Sequence, residues 1–438
     1  MSLLAQDRRH VWHPFTQHLG AADPLPIASA RGAELFTTDG RRILDLISSW
    51  WVNLHGHCHP TIASAIARQA ETLEQVIFAG CTHAPAVELA TRLATLLPGD
   101  LNRVFFSDDG STAVEAALKM ALHAHANRGE PQRQRLIAFD GGYHGDTVGA
   151  MAAGQASGFF TPYQALLFPV HTLPYPATWP GDAAVEQKEA AALAALEQLI
   201  AREGPTLAAL IIEPLVQGAS GMRMCRPAFV QEVVTRAQAA GILVIFDEIM
   251  TGFGRTGTLF ACEQVGVVPD MICLSKGLTG GFLPMSVTVC RDSIYAAFLG
   301  PAFAQALAHG HSYTANPLGC AAALASLQVF EAEQTLARIA AIAAAHAAAL
   351  PLLQAIPRTR RHRQCGTILA FDIIGGEEGY GAAIGQRLQA AFRARGLLIR
   401  PLGNVVYLLP PYCISAAQLN EAYQGMVAVL QSVLADQD

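Results

Sequence analysis

The residues from Gly241 to Gly281 most constrain what this chain can fold into. They read GILVIFDEIMTGFGRTG and, after a short interval, PDMICLSKGLTGG. Two apolar, β-branched runs are each cut off by a charge. Ile242–Phe246 stops at Asp247, and Met271–Ser275 stops at Lys276. Runs of this kind, bounded by polar and glycine signals, predict buried parallel strands. In an open α/β sheet, ligands bind beyond the carboxyl ends of the strands. An acid and a lysine at two such ends are placed to meet one ligand.

The lysine count narrows the chemistry. The chain has three lysines, Lys119, Lys188 and Lys276. Lys119 lies in the helical run TAVEAALKMAL and Lys188 in the polar, Ala-rich AVEQKEAAAL. Only Lys276 follows a buried strand and precedes a glycine-rich turn. A lysine that forms a Schiff base needs an apolar wall to lower its pKa and an open approach to an aldehyde. A pyridoxal phosphate (PLP) site adds a carboxylate for the pyridine nitrogen, and Asp247 suits that role. A buried Asp–Lys ion pair would produce the same two strand ends.

The remaining segments decide between these readings. Strand RVFFS (103–107) leads into DDGSTAVEAALKMAL, with Gly110 and Ser111 opening a helix. Helix N-termini bind phosphate, although Ser and Asp also simply cap helices. Strand RLIAF (135–139) leads into DGGYHGDT, where Tyr143 could stack on a flat ring. Strand TLAALII ends at Glu213. Residues 107–111, 140–146, 213–218, 247 and 276 therefore all fall at strand ends, and the βα alternation argues for a mostly parallel sheet. Segment 284–290 reads as a further strand. Residues 31–48 read as a hairpin about Asp39-Gly40. A helix is expected over 60–75, a Pro-rich loop over 155–183, and a helix over 183–203. Beyond residue 330 come Ala-rich helices (331–355), an Arg/His-rich turn RTRRHRQ, short strands TILAFDI, LLIRPLG and VVYLLPP, and a closing amphipathic helix. The domains expected are an N-terminal segment 1–48 packing with the small domain, a large domain 49–330, and a small α+β domain 331–438.

Composition excludes several classes. At 438 residues the chain can bury a large core. Its net charge of −6 and lack of a basic run argue against nucleic acid. The start has no signal-peptide pattern, and no uninterrupted apolar stretch reaches a membrane span's length. Nine scattered cysteines without a CxxC pair fit reduced thiols and a cytoplasmic setting. His55, His57 and His59 with Cys58 invite a zinc reading. Alternating ligands in an extended run would face opposite ways and no second pair follows, so no metal is expected.

DEIMTGFGRTG with SKGLTGG resembles the class III, fold-type I PLP-dependent aminotransferases. HPFTQ, SSWWVNLHGH, GYHGDT, EPLVQGASGMRM, HGHSYTANPLGCAAA and IRPLGNVVYLLPPY extend the resemblance over nearly the whole chain. They narrow it to the branch that makes 7,8-diaminononanoate from 8-amino-7-oxononanoate in biotin biosynthesis, with S-adenosylmethionine as amino donor. The resemblance implies that Lys276 carries PLP, Asp247 pairs with the pyridine nitrogen, and Tyr143 stacks on the ring and contacts substrate. Gly110 and Ser111 would hold the phosphate. Gly310, His311 and Ser312 would reach the phosphate and substrate of the neighbouring protomer in a homodimer. Trp50 would line the substrate pocket, Arg400 would bind the keto acid's carboxylate, and Arg255 would lie near the same site.

Phe15 takes the substrate-side place of a tyrosine common after His-Pro, and His311-Ser312 that of a Pro-Thr. These departures leave lysine open as an alternative donor. Asp109 stands where a serine is common. Relatives that use 2-oxoglutarate carry a Glu–Arg pair where Ala219 and Tyr407 fall here. Its absence argues against glutamate and 2-oxoglutarate as the exchanged pair. Rival readings are another class III aminotransferase for diamines or ω-amino acids, a PLP aminomutase, or a catalytically dead protein of the same fold.

Overall fold

The computed structural model describes residues 2–154, 158, 160–375, 379 and 381–435. Parts of the expected 155–183 loop and of the glycine-rich loop near 376 lie outside the described residues. The architecture centres on a seven-stranded sheet. Its order is Leu101–Ser107, Ser286–Arg291, Met271–Leu274, Leu243–Asp247, Leu207–Ile212, Arg135–Phe139 and His171–Leu173. Ser286–Arg291 runs antiparallel to both neighbours, and the pairings from Met271–Leu274 onward are parallel. Every residue of Leu207–Ile212, Leu243–Asp247 and Met271–Leu274 is buried. Helices cover both faces, which is why these strands are continuous apolar runs without alternation.

A second, antiparallel sheet joins Thr359–Cys365, Ile368–Ile373 and Val405–Leu408. Helices Thr335–Gln354, Ala383–Ala394 and Ala416–Ala435 belong to the same part of the chain. The N-terminal strands Ile27–Arg31, Glu34–Thr37 and Arg42–Asp45 form the expected hairpin region, with Gly40 at φ 81° in the turn. Arg42–Asp45 also pairs in parallel with Leu397–Leu398, so both ends of the chain share one sheet.

Four elements differ from expectation. RTRRHRQ is not a turn but most of strand Thr359–Cys365, in which Arg363 is buried and donates to the Gly221 and Met222 carbonyls and to the Asp372 carboxylate. His171–Leu173, within the expected loop, is an edge strand of the main sheet. The helix from Pro60 stops at Ala70, short of residue 75. Ala-rich helices Pro317–Ala332 and Thr335–Gln354 break at Gln334, which has φ 50°. The second of these has mean hydropathy 1.7 and the length of a membrane span. It is packed into the fold instead: Ile339, Ile342, His346 and Leu353 are buried, and His346 bonds to the Tyr423 hydroxyl and the Thr367 carbonyl.

Candidate active site

Strand ends 107, 139, 212, 247 and 274 open on a cavity of about 410 Å³. That is ample for a cofactor-sized ligand. Asp247, Lys276, Tyr143, Gly110 and Ser111 all line it, together with Trp51, His144 and Glu213. The sheet thus brings together five residues that the sequence singled out.

Asp247 is 3% exposed and ends its strand. One carboxylate oxygen accepts the amide of Ile249 at 3.1 Å. The other lies 2.7 Å from Nδ1 of His144, itself fully buried. Nε2 of His144 is buried without a protein partner. The sequence placed His144 in the bend but gave it no role. Only the fold shows that the turn after one strand brings it against the acid of another.

Lys276 follows its strand by one residue, where Ser275 is anchored through its hydroxyl to the Met285 carbonyl at 2.8 Å. Its backbone sits at φ 41°, an uncommon conformation for a side-chain-bearing residue and one often found at functional sites. Burial lowers the pKa of its ammonium group, against the opposing pull of Asp247 and Glu213. A larger share of neutral amine is the form a Schiff-base lysine needs. Nζ lies 5.5 Å from the ring centre of Trp51.

Gly110 begins helix Gly110–Asn127, and the first amides of a helix have no intrahelical acceptor. Asp109 caps this helix, accepting the Thr112 amide at 2.9 Å, so its carboxylate is engaged with its own helix. A Cβ at Gly110 would come within 3.0 Å of Ile249, and one at Gly145 would overlap the Ser111 hydroxyl. The glycines keep a close-walled cradle open. Ser111 Oγ accepts the Asp146 amide at 3.2 Å. Tyr143 is stacked beside Phe160, with ring centres 6.4 Å apart, and burial raises its hydroxyl pKa, followed by the nearby Asp146. An amide-lined cradle, an aromatic ring, an acid and a lysine of lowered pKa together fit a PLP group.

Phe15, Trp50 and Arg400 do not line the cavity; they form a rim next to its Trp51 wall, where Phe15 meets Trp50 edge-on at 5.7 Å and the Arg400 guanidinium lies 4.9 Å over the Trp50 ring. The two adjacent tryptophans diverge. Ser48, Ser49 and Trp51 all have positive φ, and this kink turns Trp51 into the cavity wall and leaves Trp50 41% exposed. Trp51 Nε1 donates to the Tyr407 hydroxyl at 2.9 Å. Tyr407 is thus committed to holding Trp51, and Gly218, beside Ala219, lies against the same ring.

Two expectations need correction or qualification. Arg255 is 1% exposed and does not line the cavity. Its guanidinium donates to the carbonyls of Trp51, Asn53 and Pro410 at 3.0–3.2 Å, so it fastens backbone beneath the site rather than facing substrate. Gly310, His311 and Ser312 do not line this chain's own cavity either. His311 is held in its turn by the Thr314 hydroxyl, and the Ser312 carbonyl accepts from Gln75. The three histidines of the zinc reading each pair elsewhere: His55 with Ser326, His57 with Asp45 and His59 with Glu333. Among the described residues no cluster of potential metal ligands forms.

Residues 18–430 match the family Aminotransferase class-III, and the chain belongs to it. It is a PLP-dependent transaminase. The chain is 55% identical over 424 residues to adenosylmethionine-8-amino-7-oxononanoate aminotransferase of Synechococcus elongatus, covering 97% of this chain and 99% of that protein. Its fold superposes with TM-score 0.92 on the enzyme of the same name from Methanocaldococcus jannaschii, at 32% identity and 98% coverage of both chains. An amine transaminase from an uncultivated Pseudomonas species, crystallised in its PLP-bound form, is 32% identical with TM-score 0.88 and 98% coverage of both chains.

Proposed function

We propose that this aminotransferase moves an amino group from S-adenosylmethionine to 8-amino-7-oxononanoate, giving the 7,8-diamine used for biotin. The observation that carries this reading is 55% identity, over nearly full length, to a relative named for that exchange. The Phe15–Trp50–Arg400 rim supports it, because an arginine beside two aromatic rings suits a long apolar chain ending in a carboxylate.

PLP supplies an electron sink for the carbon that bears the amino group. The chain's own residues do the rest. Asp247 would face the pyridine nitrogen and keep it protonated, and His144 fixes the Asp247 carboxylate. Gly110 and Ser111 would hold the phosphate through backbone amides and hydroxyl. Lys276 would hold the cofactor, and its side chain, as a neutral amine, is placed to move the proton at the amino-bearing carbon. Tyr143 and Trp51 wall the reacting carbon from water. Arg400 fixes the acceptor's carboxylate.

A cytoplasmic homodimer belongs to the same reading. Gly310, His311 and Ser312 would complete the partner's phosphate site. Ile77 and Tyr313, 68% and 63% exposed, give the surface near that loop an apolar character suited to an interface.

Single-turnover mixing tests the exchange. The PLP-loaded protein is mixed separately with S-adenosylmethionine, lysine, ornithine and 4-aminobutyrate while the cofactor's absorbance is followed. Rapid conversion by S-adenosylmethionine alone is expected. Conversion by lysine instead would keep the product and change the donor, and conversion only by the other amines would overturn the assignment.

A further inference from the structure

Glu213 directly follows the central strand Leu207–Ile212 and is 6% exposed. Its two carboxylate oxygens serve two different segments. Oε1 accepts the amide of Tyr143 at 3.0 Å, and Oε2 accepts the amide of Gly218 at 2.9 Å. Tyr143 belongs to the turn after Arg135–Phe139. Gly218 belongs to the hairpin of Val216–Gln217 and Arg223–Met224. A Cβ on Gly218 would come within 3.2 Å of the Trp51 ring. One side chain thus joins the Tyr143 wall of the cavity to the Trp51 wall. An apolar residue here would leave both amides unpaired, and a burial this complete is costly for a charge that does nothing.

We infer that Glu213 is a positioning residue for the transamination: its carboxylate sets the spacing of the Tyr143 and Trp51 walls between which the amino donor binds, and it adds a negative charge to the surroundings of Lys276. The inference rests on the reading that PLP is held by Lys276. The groups that face Glu213 are Tyr143 and His144 from the turn, Asp247 from the adjacent strand, Lys276 beyond the next strand, and Tyr175. Burial raises its carboxyl to about 7; His144 opposes the shift, Asp247 adds to it and the two amides oppose it. The acid is therefore charged above about 7 and accepts both amides there. As pH falls through that value it gains a proton, and an oxygen that carries a hydrogen accepts poorly from a facing N–H.

Holoenzymes of Glu213→Gln and Glu213→Asp test this against wild type. Each is reduced with borohydride and its labelled peptide mapped. KM and kcat for the donor half-reaction are measured across neutral pH, and the absorbance of the lysine-linked cofactor is titrated. Gln offers one acceptor to two donors, so KM should rise about tenfold, with kcat changed much less. It also removes a negative charge near Lys276, so the midpoint of the absorbance titration should move to lower pH. Wild type should show a rise in KM on the acid side, and that rise should be absent in Glu213→Gln. Asp keeps the charge but is too short to bridge both amides, so KM should rise while the midpoint stays. Glu213→Gln with wild-type KM and midpoint would overturn the inference. So would insolubility of both variants, which marks a carboxylate needed only for folding. Borohydride label away from Lys276 would instead sink the cofactor site itself, so the two failures are distinguishable.

Discussion

On the floor of the cavity, His144, Asp247 and Glu213 are 2%, 3% and 6% exposed, and each is held by a hydrogen bond from a different strand end or turn. At the rim, Phe15, Trp50 and Arg400 come from three distant segments, and Trp50 is 41% exposed. The floor is set by the parallel sheet, whose strand ends cannot move independently. The rim is assembled from the N-terminal segment, a kinked turn and the small α+β part, which meet in ring contacts. The difference separates two tasks. Electron withdrawal and proton movement need fixed groups, whereas substrate choice can be changed by exchanging rim residues without disturbing the floor.

Three substitutions probe that division. The largest effect is expected for Lys276→Ala, which should abolish borohydride trapping of the cofactor and lower turnover by several orders of magnitude. Trapping on Lys119 or Lys188 would break the floor assignment. Arg400→Ala should weaken the keto acid by about 10- to 100-fold through loss of a charge-assisted contact, and leave the donor half-reaction nearly unchanged. Equal losses in both half-reactions would mean that rim and floor are not separable. The smallest effect is expected for Trp50→Ala, which removes the ring shared by Phe15 and Arg400. A rise in KM for the keto acid of a few-fold, with kcat retained, would match the roughly 0.5–1.5 kcal/mol of an aromatic pair. A loss as large as that of Arg400→Ala would show that the ring orients the guanidinium.

The strand ends at Asp247 and Lys276 were legible in the sequence because their signals are local. An apolar run that stops at Asp247 or Lys276 reports both a strand and where its functional end lies. The partnership of Asp247 with His144 was not legible, because it depends on which strands are neighbours. Arg255 misled for a related reason. An arginine in a glycine-rich turn reads the same whether it faces substrate or three backbone carbonyls. Strand Thr359–Cys365 was hidden by its composition, since four of its seven residues are Arg or His. His171–Leu173 was hidden by its brevity. The fates of Trp50 and Trp51 were inseparable in sequence, because successive positive φ values, not residue type, decide which ring enters the cavity.

The bond from Trp51 to the Tyr407 hydroxyl joins residues 356 apart in the chain. A ribosome adding about 5–20 residues per second takes roughly 20–70 s to cover that distance. Throughout that interval the Trp51 indole N–H lacks its Tyr407 acceptor and strand Arg42–Asp45 lacks its neighbour Leu397–Leu398. A nascent chain stalled before residue 397 should therefore contain a formed main sheet but an unfinished site. Such a chain leaves apolar surface uncovered for tens of seconds, the interval in which aggregation competes with completion of the fold.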